Sequence, residues 1–294
     1  MNILLYGHRG WIGGQFVNLL DASDINYVKG QARLENMEDV EDEIEMANPT
    51  HVIAFTGRTH GSINGKEYTT IDYLEQPGKL VENMRDNLFA PIMLANLSKT
   101  RGFHFTYLGT GCIFESTQDQ PIFDESDKPN FFGSSYSIVK GYTDQLMHMY
   151  NETALNVRIR MPITGDYNPR NFITKILNYK KICSMPNSMT VLPELLPILL
   201  DMITKNVTGT INLTNPGTIT HNEILEMYRD IVNPNFKWEN FTVEEQNQIL
   251  AAGRSNNELN TSLLETLYPN VTPIKESIKK LMDSAAAQLV QAGK

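Results

Sequence analysis

GHRGWIG, residues 7–13, follows directly on the apolar run Ile3-Leu4-Leu5-Tyr6 and leads into a stretch with helical periodicity at 12–20. Gly7, Gly10 and Gly13 make a G-x-x-G-x-x-G turn between strand and helix, where missing side chains permit positive φ and let a pyrophosphate sit against helix N–H groups. Glycine spacing alone is weak evidence. Its position after an apolar strand and before an amphipathic helix is the context the motif requires. Further along, segments at 52–55, 83–97, 103–108, 136–150 and 155–160 continue the alternation of strand-like and helix-like patterns. Such a βαβ series predicts an α/β fold: a Rossmann-type doubly wound parallel sheet with helices on both faces and ligands at the carboxyl ends of its strands.

After 161–162 the pattern turns irregular, with helical stretches at 171–179 and 194–204, extended ones at 187–192 and 210–213, and a helix from His221 that Thr220 can cap. This predicts a dinucleotide-binding domain over 1–160 that also receives about 188–213, and a smaller, mainly helical substrate lobe from 161–187 and 214–294. The 294 residues and 41% hydrophobic content suffice for one large core plus an annex. With Lys+Arg 25 against Asp+Glu 34, the formal charge is −9 and no basic tract interrupts it, which argues against nucleic acid or an anionic membrane as partner. No apolar run reaches a membrane span of about 20 residues, and the chain enters a strand at Asn2 with no leader, so a cytoplasmic protein is expected. The two cysteines, Cys112 and Cys183, lack metal-ligand spacing, and no metal is expected.

An Asp or Glu about 20 residues beyond the first strand would take the ribose hydroxyls of NAD. Here 27–33 read Tyr-Val-Lys-Gly-Gln-Ala-Arg. Arg9 inside the turn and Arg33 after the second strand suit a 2′-phosphate, which favours NADPH. The cofactor set is thus Gly7, Arg9, Gly10, Trp11, Ile12, Gly13, Arg33, Gly57 and Asn87, together with Tyr136 and Lys140.

Those last two stand four apart in YSIVK, 136–140, so on a helix they share one face. A free tyrosine ionises near pH ~10, and a neighbouring ammonium that stabilises the phenolate lets it deliver a proton at neutral pH. Tyr136 is the expected acid and Lys140 that charge. Thr110, at the end of FTYLGTG (105–111), supplies a hydroxyl to orient a substrate carbonyl, and Asn87 completes a proton relay.

With these motifs the chain resembles, end to end, the extended short-chain dehydrogenase/reductases that act on nucleotide sugars. GHRG resembles the opening of GDP-fucose synthases, and RSNNEL (254–259) resembles dTDP-4-dehydrorhamnose reductases. Six segments in order, GCIFE (111–115), RMPI (160–163), NPRNFITKI (168–176), PNSMTVL (186–192), NPGTITHNEILEMY (215–228) and RSNNE (254–258), resemble nucleotide-rhamnose synthase/epimerase-reductases. The resemblance implies conversion of UDP-4-keto-6-deoxy-D-glucose to UDP-β-L-rhamnose, with substrate supplied by a UDP-glucose 4,6-dehydratase, and admits a homodimer.

It further implies that Cys112 and Lys175 are an epimerase acid/base pair. The hydrogens at C3 and C5 flank the C4 ketone, so each can leave as a proton while charge spreads onto the oxygen. A thiol and a buried amine both ionise close enough to neutrality to exchange protons. For the nucleotide, the resemblance suggests Asn171, Arg254 and Asn256; Asn171 could instead cap the helix that follows it. One departure is that the family's fourth strand usually ends Asn-Ala-Ala-Gly, where this chain has Ala54-Phe55-Thr56-Gly57. The alternatives are a simple dTDP/UDP-4-keto-sugar reductase, in which Cys112 is dispensable, and a non-catalytic NADP-binding regulatory subunit, against which the intact Tyr136/Lys140 pair argues.

Overall fold

A computed structural model describes residues 1–292, with side chains through 286. Six strands form one sheet: β1 (Asn2–Tyr6), β2 (Asn26–Lys29), β3 (His51–Ala54), β4 (His104–Thr110), β5 (Ala154–Ile159) and β6 (Gly209–Asn212), in the order β6-β5-β4-β3-β1-β2. All neighbours are parallel, with Leu4 opposite both Val28 and Val52 and Thr110 opposite Ile159. The chain steps outward from β1 to β2, then returns past β1 to β3. This reversal opens a crevice at the carboxyl ends of β1 and β3, where an open parallel sheet takes its ligand. The segment aligned with the family's fourth strand is therefore the third strand of this chain.

Both sheet faces are covered, so β3 and β5 are buried throughout. Strand alternation sends Ile3 and Leu5 to a core shared with α1 (Trp11–Asp21) and Leu4 and Tyr6 to the opposite one, shared with α2 (Met37–Ala47). Helix α2 was not apparent in the sequence because only Val40 and Ile44 of its residues are buried. On that same face, α3 (Leu80–Met84) passes through a π turn, Arg85–Phe89, into α4 (Ala90–Arg101), and α5 (Ser135–Met147) lies beside them. Between β3 and α3 lies a hairpin, Gly61–Ile63 with Lys66–Tyr68, turned by Asn64 and Gly65, both at positive φ.

A third core lies off the sheet. It joins Ile163, Ile173 and Ile176 of α6 (Phe172–Leu177), Ile224 of α8 (His221–Ile231) and Ile278 of the C-terminal helix Ile274–Ala292. Met189 and Val191 belong to this core, whereas from Leu192 onward α7 (Leu192–Thr204) packs against the sheet. The extended segment expected at 187–192 narrows to Thr190–Val191, paired with Pro162–Ile163. At Thr220 the expected cap is a full capping box with Glu223.

Candidate active site

The glycine turn is built by close approach. Gly7 has φ 81°, and a Cβ there would stand 2.7 Å from the Phe55 carbonyl carbon; at Gly13 a Cβ would lie 2.2 Å from the Gly7 oxygen. Gly10 N–H donates to the Gly7 carbonyl at 2.9 Å, and no side chain caps the N-terminus of α1. Free N–H groups and the positive end of the helix dipole therefore face a cleft of about 330 Å³, bounded by residues 6–10, 30–35 and 55–58. This shape and donor set fit a dinucleotide pyrophosphate.

Of the residues expected here, Arg9 and Arg33 both line the cleft; Arg9 donates to the neutral Gln31 at 2.9 Å, while Arg33 is 73% exposed. Glu35 also lines it, contrary to the expected lack of an acidic residue, but Arg33 (3.7 Å) and Arg85 (3.2 Å) hold its charge. Trp11 and Ile12 pack against the sheet core and are not among the cleft's lining residues. Arg58 is an addition, placed on the cleft wall by an Asp86 ion pair at 2.8 Å. Its position straight after the carboxyl end of β3 was the sequence signal for it. Asn87, expected as part of a proton relay, is held by its neighbours. Its amide clamps Arg58 through that residue's N–H (2.9 Å) and carbonyl (2.8 Å) and also binds Asn83, and no hydrogen bond joins it to Lys140 among the described residues. Gly57 sits under this clamp, 3.0 Å from the Asn87 oxygen to an added Cβ.

At the end of β4 four expected residues converge. Ser134 caps α5 by accepting from Ser137 N–H at 3.0 Å, which sets the helix so that Tyr136 and Lys140 face the sheet, both buried. The Thr110 hydroxyl accepts from Cys112 N–H at 3.1 Å. Burial raises the Tyr136 phenol above its ordinary value, the Cys112 charge adds to that, and the nearby Thr110 hydroxyl opposes both. Burial pushes the Lys140 ammonium down to about 7, against the pull of Asp144 and Cys112.

A residue not foreseen completes this group. Lys140 donates to the Tyr107 hydroxyl and sits 4.5 Å from that ring's centroid. Tyr107 reads in the sequence as one more strand aromatic. One helical turn beyond Lys140, Asp144 is buried against the forked guanidinium of Arg158, at 2.9 and 2.8 Å. Burial raises the Asp144 carboxyl, but Arg158, His148 and Asn156 outweigh it and hold the group at about 2.

Lys175 stands in a separate cationic group. It is half-buried on α6, and burial, then Arg170 and Arg254, lower its ammonium from the ordinary value. Arg170 also meets the ring of His60, which burial and the neighbouring cations push down to about 4. No hydrogen bond joins Lys175 to Cys112 among the described residues. Arg254 pairs with Asp72 at 2.6 Å.

The other two nucleotide candidates are, like Arg254, engaged within the chain. Asn171 is 1% exposed, caps α6 by accepting from Ile173 N–H at 3.2 Å, and donates to the Thr164 and Asp166 carbonyls, which leaves its amide no free group. It is the cap of α6. Asn256 accepts from Asn187 at 3.0 Å and donates to the Arg254 carbonyl at 3.4 Å.

Residues 1–191 match the model of the RmlD substrate binding domain. The crystal structure of the UDP-rhamnose synthase from Acanthamoeba polyphaga mimivirus superposes with a TM-score of 0.92 at 52% identity, covering 96% of this chain and 99% of that one. The bifunctional dTDP-4-dehydrorhamnose 3,5-epimerase/dTDP-4-dehydrorhamnose reductase of Arabidopsis thaliana is 44% identical over 96% of this chain and 92% of its own length. A trifunctional UDP-glucose 4,6-dehydratase/3,5-epimerase/reductase of the same plant is 43% identical over 95% of this chain, which spans 41% of that protein. Together with the glycine turn and the Thr110, Tyr136 and Lys140 group, these matches show that the chain belongs to the RmlD substrate binding domain family, among its nucleotide-sugar epimerase/reductases.

Proposed function

We propose that this chain is a bifunctional 3,5-epimerase and NADPH-dependent 4-keto reductase that converts UDP-4-keto-6-deoxy-D-glucose to UDP-β-L-rhamnose. The observation that carries this reading is the presence of a thiol, Cys112, within the buried group of Thr110, Tyr136 and Lys140, where a reductase alone needs none. Cys112 as thiolate takes the proton at C3 or C5; the C–H electron pair moves onto the C4 oxygen, and the enolate is reprotonated on the opposite face from the Lys175 ammonium. Thr110 and Tyr136 hold the carbonyl. When bound, NADPH supplies the hydride for C4, and Tyr136 donates its phenolic proton to the oxygen while Lys140 stabilises the phenolate. Gly7, Gly10 and Gly13 seat the pyrophosphate, Arg9, Arg33 and Arg58 favour the 2′-phosphate, and Arg254 with Lys175 and Arg170 suits the substrate diphosphate.

The sheet with α7 forms the cofactor lobe, and the third core forms the substrate lobe. A 4,6-dehydratase supplies the substrate, in keeping with the fusion found in the trifunctional relative. A homodimer would cover the exposed stripe Ile138, Tyr142 and Leu146 on α5 beside Val81 and Met84 on α3. No helix of the described residues is long and apolar enough to cross a membrane, in keeping with a cytoplasmic enzyme. The test is incubation with the keto sugar in D₂O, with and without NADPH. Deuterium at C3 and C5 without cofactor, then UDP-rhamnose on its addition, is expected. Reduction without exchange refutes the epimerase, and no turnover despite NADPH binding refutes both activities.

A further inference from the structure

The loop that follows β2 is held from two sides, and both holds converge on Gln31. From α2, the Glu43 carboxylate accepts from Gln31 N–H at 2.7 Å through Oε1 and from Ala32 N–H at 3.1 Å through Oε2. The Gln31 side chain turns the other way. Its Nε2 donates to the Lys29 carbonyl at 2.9 Å, which leaves Oε1 to accept from Arg9 Nη2 at 2.9 Å. With the Nε2 group spent on a carbonyl, an oxygen and not an N–H faces the arginine. One residue just past the end of β2 thereby ties α2 to the guanidinium of the glycine turn.

Charge makes this arrangement selective. Of the arginines that line the cleft, Arg33 stands 3.7 Å from Glu35, and Arg58 is paired with Asp86 at 2.8 Å, so each already has a carboxylate. Arg9 has no carboxylate within salt-bridge distance among the described residues; its partner is the neutral amide of Gln31. An acid at the end of the second strand takes ribose hydroxyls and repels a 2′-phosphate. Here an amide stands there, and the carboxylate behind it, Glu43, has each oxygen on a backbone N–H. Arg9 is exposed, so without a partner its long side chain would sample many rotamers. Gln31 fixes where Arg9 points without cancelling its charge, whereas a glutamate of the same length would fix it and cancel it.

We infer that Gln31 is a positioning residue for cofactor selectivity: its amide oxygen holds the Arg9 guanidinium at the cleft, with its charge uncancelled, to meet the 2′-phosphate of NADP. This rests on the reading of the cofactor as NADPH. Glu43 acts one step behind, fixing the backbone from which the amide is presented.

The experiment is calorimetric titration of the full chain with NADP⁺ and with NAD⁺, for the wild type, Gln31→Met, Arg9→Met and the double variant. Gln31→Met keeps the length of the side chain and removes both of its hydrogen bonds. Ordering a freed arginine costs about twofold to tenfold in affinity, so NADP⁺ binding should weaken about fivefold while NAD⁺ binding stays within about twofold. In the Arg9→Met background the same substitution should change NADP⁺ binding by less than about twofold, because a residue that acts through Arg9 has nothing left to hold. Gln31→Glu should weaken NADP⁺ binding about tenfold or more, since an ion pair then takes the charge meant for the phosphate. Equal weakening of both dinucleotides in Gln31→Met, or the same loss with and without Arg9, marks a merely structural loop and overturns the inference. Unchanged NADP⁺ affinity in Gln31→Met or Gln31→Glu overturns it as well. A wild type that binds NAD⁺ as tightly as NADP⁺ refutes the NADPH reading itself, and the inference falls with it.

Discussion

Asp144→Asn probes both the stability of the fold and the tuning of its active site. The substitution keeps the shape of the side chain and leaves Arg158, wholly buried, facing carbonyls and amides with no anion. Breaking a buried pair in this way costs about 3 to 5 kcal/mol. A lower bound comes from titration: a carboxyl held at about 2 against an ordinary 3.8 contributes about 2 kcal/mol. Because the folded pKa is depressed, that contribution is complete above pH 3.8 and is lost as pH falls through about 2. The same carboxylate raises Lys140, one turn away at roughly 6 Å, where a unit charge at an effective dielectric of about 20 is worth about 3 kcal/mol before Arg158 offsets part of it. Lys140 should therefore drop by about one unit below its present value of about 7. Urea unfolding at pH 7 reads the first effect, and the pH profile of NADPH oxidation reads the second, as an earlier loss of rate when pH rises. A stability loss under about 1 kcal/mol, or an unmoved profile, would refute the reasoning.

In Gly13→Ala the new methyl would meet the Gly7 carbonyl at 2.2 Å, so dinucleotide binding measured by calorimetry should fall at least tenfold and the melting temperature with it. Asn171→Ala removes a cap and should cost about 1 kcal/mol or more in unfolding experiments while leaving KM for the keto sugar within about twofold. Arg9→Ala with Arg33→Ala should narrow the preference for NADPH over NADH by about tenfold or more, read as the ratio of their kcat/KM values. Tyr136→Phe should lower NADPH-dependent reduction by roughly 10² to 10⁴ and slow deuterium exchange at C3 and C5 by a smaller factor, since Thr110 still holds the carbonyl on which the enolate charge develops.

The parts legible in the sequence are those that depend on local geometry. Gly7 and Gly13 are dictated by backbone contact, Tyr136 and Lys140 by helical spacing, and Thr220 by a cap that one turn of chain decides. Side chains whose partners come from distant segments were not legible. Arg158 reads as one more strand residue until Asp144 of α5 is brought against its guanidinium. Tyr107 looks like packing until Lys140 is brought against its hydroxyl. The hairpin at 61–68 was available in principle, because Asn64-Gly65 is the pair that a tight turn with two positive φ values demands.

The sheet order has a consequence for how this chain is made. Strand β5 ends at Ile159, but its outer neighbour β6 begins only at Gly209, after a detour through the third core. A ribosome adding 5 to 20 residues per second needs roughly 3 to 10 s to produce that stretch. Throughout that interval a nascent sheet presents a strand whose every residue is destined for burial as a bare edge, open to pairing with any neighbouring chain. The enzyme's yield in a cell should therefore depend on chaperone supply and translation speed across residues 160–212 more than on the stability of the finished protein.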